Sequence, residues 1–227
     1  MELTGRRRAD ALAVYRTEHL ATRVRAWGRW TTAPFPAVES LVPEVGDVLE
    51  VGCGIGLVAV DLGRTGPGRR VLAVDVDPVR AEVARRAAAR AGVDDRVRVE
   101  VVPPDWAPAP ESADAVVVVD VLYLLGRTDA LELLDRLVAA LRPGGVLVVK
   151  EMAARPRWKA AWTRAQETVA VRGLRVTAGR TVELVPVEDL AAHLAARGLA
   201  VRTVPMDRGH LHPHMAVVAL RTEGRTK

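Results

Sequence analysis

Three histidines alternate in "DRGHLHPHMAVVAL": His210, His212 and His214. The whole chain has only five. Two-residue spacing on a strand puts all three on one face. Imidazoles so arranged can ligate a metal, act as a base near neutral pH, or simply line a polar loop. Pro213 interrupts the spacing and no carboxylate follows nearby, so no metal is expected here. His210 and His214 remain candidates for a base, and His212 for a substrate contact. A second set lies in "VLEVGCGIGLVAVDL". There Glu50 ends an apolar strand, and Gly52, Gly54 and Gly56 lead straight into a helix. Glycines in that position allow a tight turn and let a ligand approach backbone N–H groups at a helix N-terminus. The spacing is G-x-G-x-G; Leu57 holds the last position of the dinucleotide pattern G-x-G-x-x-G.

The elements around these residues follow a regular alternation. "DVLEVG", "RRVLAVDV", "RVRVEVV", "DAVVVVD" and "VLVVKE" are short apolar strands. Between them lie amphipathic stretches with helix punctuation. In "DPVRAEVARRAAARAG", Asp77 can cap, Pro78 sits at the first position and Gly92 can end the helix. "TDALELLDRLVAAL" reads as a helix capped by Thr128 or Asp129. Strands alternating with helices imply βαβ units and a parallel sheet covered on both faces. Residues 2–30 read as helical, with Leu12, Tyr15, His19 and Leu20 at helical spacing. Near the C-terminus, "PVEDLAAHLAARG" is a helix, and "LAVRTVPM" and "HMAVVALR" form a closing antiparallel hairpin.

The second strand ends in Asp75, about 20 residues beyond the glycines, where an acid can hydrogen-bond two ribose hydroxyls. After the third strand, "PPDWAP" offers Asp105 and Trp106 to an adenine edge and face. The fourth strand ends at Asp120, and "LRPGGVLVV" introduces the fifth. This combination resembles the class I (Rossmann-like) S-adenosylmethionine-dependent methyltransferases, by motif over roughly residues 45–151 and by element order elsewhere. The resemblance implies a doubly wound α/β fold with a seven-stranded, mostly parallel sheet, an antiparallel last strand and an N-terminal helical lid. It implies S-adenosyl-L-methionine as cofactor, with Glu50 and the Gly52–Gly56 loop at its methionine end, Asp75 on the ribose, and Val76, Asp105 and Trp106 around the adenine. Asp120 and Val121 would border the transferred methyl.

Ligands of open α/β sheets bind beyond the carboxyl ends of the parallel strands. Tyr123, Lys150 and Glu151 follow strands four and five and qualify as acceptor contacts, with Tyr123 also a catalytic candidate. An antiparallel last strand starts where its neighbours end, which brings the three histidines to the same side. His19 on the lid and Trp158 on the helix after strand five complete the acceptor candidates. One domain is expected: lid 1–44, cofactor-binding core 45–151, substrate cap 152–186, closing helix and hairpin 187–227.

Composition narrows the partners. The 227 residues are 49% apolar, which suits a globular protein. The longest apolar run, "ADAVVVVDVLYLL", is broken by Asp120 and too short to span a bilayer. No signal-peptide pattern opens the chain, so a cytoplasmic location is expected. Single Cys53 excludes an internal disulfide framework. The net charge is +5, but acidic residues share the same segments as the arginines, which argues against a nucleic-acid partner. The function expected is methylation of a small molecule, with oxygen ahead of carbon or nitrogen as acceptor, in bacterial secondary metabolism or lipid modification, by a monomer or homodimer. Methylation of RNA or protein, and a cofactor-binding scaffold without turnover, are the alternatives.

Overall fold

The computed structural model describes residues 2–152, 185–206 and 214–223. Seven strands form one sheet: β1 (Val45–Val51), β2 (Gly68–Asp75), β3 (Val97–Val101), β4 (Ala113–Val119), β5 (Leu141–Met152), β6 (Ala200–Pro205) and β7 (His214–Leu220). Their order is β3-β2-β1-β4-β5-β7-β6. Only β7 runs against its neighbours, pairing antiparallel with both β5 and β6. The valine-rich centre strands have both faces covered, as their unbroken apolar runs require. The chain winds from β1 outward to β3, then returns and winds the other way from β4. Ligand-binding crevices form at such a reversal, here between the carboxyl ends of β1 and β4.

Two apolar clusters fill the faces. One packs α4 (Leu57–Thr65), α5 (Pro78–Ala91) and three N-terminal helices against the sheet. The other packs α6 (Arg127–Ala140) and α7 (Val187–Ala196). The α5 ends are those its sequence specifies. Asp77 Oδ1 accepts from the Val79 and Arg80 N–H groups at 2.9 and 3.2 Å, and Gly92 leaves the helix at φ +65°. The start of α6 differs from expectation: Gly126 is its N-cap and no side chain caps it. A 3₁₀ turn, Leu122–Leu124, runs almost directly into the helix, so Asp129 lies in its first turn, where a negative charge suits the helix dipole. Strand β5 begins earlier than expected, at Leu141. It carries "RPGG" as an irregularity, with the register shifting between Ala113 and Ala115 on β4.

Residues 2–30, read as helical, form two helices, α1 (Glu2–Ala13) and α2 (Leu20–Thr32), and the proline-flanked stretch after them holds a short third helix, α3 (Phe35–Glu39). Polar clasps fasten them to the sheet layer. Arg7 pairs with Asp61 of α4, with Nη2 to Oδ2 at 2.5 Å. The Tyr15 hydroxyl donates to the Ile55 carbonyl in the glycine loop at 2.9 Å, which pins the bend between α1 and α2. Glu18 holds Arg86 and Arg90 of α5 at 2.8 and 2.6 Å. These pairs draw the Glu18 carboxyl down to about 2, with the Arg86 hydrogen bond the leading cause. None of the helices among the described residues is long and apolar enough to cross a membrane.

Candidate active site

The glycine loop leaves β1 with Gly52, Gly54 and Gly56 all at positive φ, +77°, +55° and +83°. The three differ in what surrounds them. A Cβ on Gly52 would lie 2.4 Å from Val121 Cγ2, so this glycine lets the β1 and β4 ends touch. A Cβ on Gly56 would lie 2.8 Å from Ala84 Cβ, so this one lets α4 approach α5. Gly54 has nothing within 4 Å of its Cβ position, so the loop opens onto space there.

Asp75 lies across that opening. Its Oδ2 accepts from Gly54 N–H at 2.7 Å and its Oδ1 from Asp77 N–H at 2.9 Å. A carboxylate has about four lone-pair positions, so two remain for a ligand's hydroxyls. Val76, next in the chain, leaves 58% of its surface exposed and offers an apolar platform. Trp106 is half-buried against the α6–α7 cluster, and Asp105 is exposed beside it. Glu50 is buried, and its Oε2 has no hydrogen-bond partner in the structure. Burial pushes its carboxyl up to about 8, so the group is protonated at neutral pH.

The mouth of β4 is more strongly built. Asp120 is buried and has φ +55°, a left-handed conformation that costs a non-glycine residue about 1–3 kcal/mol. Neighbouring β5 holds it in place. Asp120 N–H donates to the Lys150 carbonyl at 2.9 Å, and Lys150 Nζ donates to both Asp120 oxygens at 2.7 and 2.8 Å. Glu151 Oε1 accepts from the next two backbone N–H groups, Val121 at 3.0 Å and Leu122 at 2.8 Å. Burial works to raise the Asp120 pKa, but Arg29 and Lys150 outweigh it and hold the carboxyl below its ordinary range. Glu151 is pushed up to about 8 by burial first and Asp120 second.

Lys150 and Glu151, expected from their position to face the acceptor, are thus turned inward. Lys150 is 0% exposed and anchors the turn that carries Asp120, Val121 and Tyr123. Tyr123 is half-buried on the 3₁₀ turn. His214 starts β7 opposite Met152, at the edge where β5 ends. It is 5% exposed, and its Nε2 lies 2.6 Å from the Thr32 carbonyl at the end of α2. A carbonyl can only accept, so that nitrogen carries a proton. His19 is exposed at the N-cap of α2. His210, His212 and Trp158 lie outside the described residues. Among the described residues no group of histidine, cysteine and carboxylates could hold a metal.

One residue of the site was not legible in the sequence. Arg29 reaches from α2 to Asp120, Nη1 to Oδ2 at 2.8 Å, and makes the carboxylate the centre of a cation–anion–cation set. Nothing marks it among so many arginines except that it lies one helical turn from Arg25.

These features lie at the carboxyl edge of the parallel strands, and the loop that opens at Gly54 lies at the reversal of strand order. Residues 48–145 match a family model described as a methyltransferase domain. Over these residues the chain is similar to a methyltransferase domain. That family's cofactor is S-adenosylmethionine. The domain's residues fit it: an open cradle at Gly54, a carboxylate at Asp75 with lone pairs to spare, and an unpartnered Glu50 oxygen below the loop.

Among curated proteins, the chain is 37% identical over 111 residues to a ribosomal protein L11 methyltransferase of Pelotomaculum thermopropionicum. That match covers 49% of this chain and 34% of the relative. It is 33% identical over 105 residues to a ubiquinone biosynthesis O-methyltransferase of Xanthomonas campestris, covering 46% of this chain and 42% of that one. The chain thus spans less than half the length of either relative. Among solved structures, the S-adenosylmethionine-dependent methyltransferase SibL in its apo form superposes with TM-score 0.69 at 26% identity, over 93% of this chain and 60% of that one. An O-methyltransferase family protein from Burkholderia thailandensis shares the fold, with TM-score 0.69 at 18% identity over 94% and 67% of the two chains.

Proposed function

We propose that this chain transfers a methyl group from S-adenosylmethionine to a small-molecule acceptor, with oxygen as the favoured nucleophile. The observation that carries the reading is the loop at the strand reversal, open at Gly54 and tied to Asp75 by a 2.7 Å hydrogen bond. When bound, the cofactor supplies a methyl carbon on a positively charged sulfur. The chain's own residues supply position. The Gly52–Gly56 backbone and the N-terminus of α4 offer N–H groups to the methionine end, Asp75 takes the ribose hydroxyls, and Val76 lies against the adenine. The Asp120–Val121 turn, fixed from behind by Lys150 and Glu151, borders the acceptor. Methyl displacement from sulfur needs an in-line approach, and proximity can supply much of the acceleration. A hydroxyl acceptor also gains from a base, for which Tyr123, His210 and His214 are the candidates.

In this reading residues 1–44 form a lid, 45–151 the cofactor core, 152–186 a substrate cap, and 187–227 the closing helix and hairpin. The L11 and ubiquinone relatives point to different acceptors, a protein and a small molecule. The small molecule is favoured because positive and negative side chains alternate across the described surface in local pairs. A role in bacterial secondary metabolism or lipid modification follows as part of the proposal.

Calorimetry tests it. S-adenosylhomocysteine should bind the full chain, and Asp75→Ala should weaken it by about 1–3 kcal/mol, the cost of leaving hydroxyls unpaired. A wild-type chain that binds neither S-adenosylmethionine nor S-adenosylhomocysteine would sink the proposal. Binding without turnover on any acceptor would favour a scaffold.

A further inference from the structure

The outer side of α2 is apolar where a surface helix should be polar. Leu20, Val24 and Trp27 keep 70%, 58% and 56% of their surface exposed. Steps of four and three residues put them on one face of the helix. That face points away from the crevice, because Arg29 leaves the other side of α2 for Asp120. The stripe borders a groove of about 400 Å³ between α1 and α2, with Leu12 of α1 on its other wall. Arg16 and Arg23 are the charged side chains that line it, and no carboxylate does.

Those two arginines differ from most of their kind in this chain. Elsewhere on the described surface exposed arginines meet an acid: Arg70 meets Asp47, Arg85 meets Glu82 and Arg98 meets Glu100. Arg16 and Arg23 are exposed, and the two acids nearest Arg16 in the chain are engaged away from the groove. Asp10 lies 3.4 Å from Arg64, and Glu18 holds Arg86 and Arg90. A third guanidinium, that of Arg8, lies 5.8 Å from the centre of the Trp27 ring and donates to Thr31 Oγ1 at 3.0 Å. The apolar stripe is thus rimmed by positive charge, and what covers it must be apolar and negative together.

Shape narrows the occupant further. A small ligand or a docked helix needs anchors enclosed in a pocket. Here the three apolar side chains project, each more than half exposed, so the groove is shallow. A bilayer interface takes side chains that project, seats tryptophan at the headgroup level and offers phosphates to arginine forks. A second copy of the chain would bring arginines against arginines. The net charge of +5 adds attraction to an anionic surface at longer range.

We infer that the α1–α2 face docks on the surface of an anionic phospholipid bilayer. Leu20, Val24 and Trp27 enter the interface, and Arg16 and Arg23 meet lipid phosphates. The crevice lies on the other side of α2, so docking leaves its residues unused, and the inference stands apart from the methyltransferase reading.

The test is flotation of the full chain with vesicles of phosphatidylcholine alone or with about 30 mol% phosphatidylglycerol. Partition onto the anionic vesicles should be at least about tenfold stronger and should weaken as salt rises. Arg16→Gln with Arg23→Gln should remove most of that preference. Val24→Asp should lower partition at least about tenfold on the anionic vesicles. Both changes are at exposed positions, and an unchanged thermal unfolding midpoint confirms that the fold survives them. Brominated acyl chains should quench tryptophan fluorescence in the wild-type chain and much less in Trp27→Phe. No binding to anionic vesicles overturns the inference, as does binding that the Arg16, Arg23 and Val24 variants keep in full. Sedimentation that shows a dimer without lipid, dissociated by Val24→Asp, would give the face to a second copy and overturn it too.

Discussion

Asp120 and Asp135 each hold two basic side chains, at opposite ends of the scale of burial. Asp120 is enclosed at the carboxyl edge of the sheet and holds Lys150 and Arg29. Asp135 sits on α6, where Arg197 donates to both its oxygens at 2.5 and 2.6 Å and His193 Nε2 lies at 2.8 Å. The inventories are nearly the same, but Asp135 and Arg197 keep roughly 40% of their side-chain surface in water. The Asp135 carboxyl is lowered mainly by the Arg197 hydrogen bond, with little burial to oppose it. Asp120 is lowered against a burial penalty that is the largest single influence on it. Exposed ion pairs contribute little to stability, because water and salt already screen them. A buried set is costly to assemble and costly to break, and here it fixes a strained turn at the site edge. The same chemical groups thus serve as surface decoration at one place and as the frame of a site at the other.

The largest expected effect follows directly. Asp120→Ala leaves Lys150 buried without its partner and should cost about 3–5 kcal/mol in urea unfolding. Asp120→Ala combined with Lys150→Met should recover part of that loss, since the stranded charge is gone. A double variant no better than the single one would mean that the turn, not the charge, dominates. Next is Gly52→Ala. It places a methyl 2.4 Å from Val121 Cγ2 in a left-handed backbone, and should cost about 2–4 kcal/mol together with S-adenosylhomocysteine affinity.

The third prediction concerns pH. Glu50 and Glu151 are raised to about 8 in the folded chain from an ordinary value of 4.5. Between those values the folded state keeps protons that the unfolded state has lost. Stability from these groups is therefore greatest below pH 4.5 and declines as pH rises to about 8. Urea unfolding of Glu50→Gln at several pH values between these limits should show a flatter decline than wild type. The smallest effect belongs to the exposed set: Asp135→Asn should change stability by less than about 1 kcal/mol and leave cofactor binding unchanged. A loss as large as that at Asp120 would erase the contrast between the two sets.

Local chemistry made much of the fold legible. The Asp77 cap, Pro78 and the Gly92 stop bound α5 as read, because each acts on its own backbone. The unbroken valine runs marked strands covered on both faces, because no other element of that length buries every residue. The break within the helical stretch 2–30 was not legible, because there Tyr15 leaves the helical pattern to reach a carbonyl 40 residues away. The α6 cap was misplaced because a preceding 3₁₀ turn had already set the helix start.

By itself the sequence determined the glycine loop, the acid at Asp75 and the alternation that brings both to one edge of a parallel sheet. These depend on neighbours along the chain and on periods of two and 3.6 residues. The tertiary structure alone decided that Gly52 and Gly56 serve packing while Gly54 opens to a ligand. It alone turned Lys150 and Glu151 inward and selected Arg29 from a chain rich in arginine. It also gave His214 the Thr32 carbonyl as partner, so one member of the alternating trio ties the last strand to the N-terminal helices. Each of these outcomes depends on which side chains three distant segments bring within hydrogen-bond reach, and spacing along one segment carries no record of that.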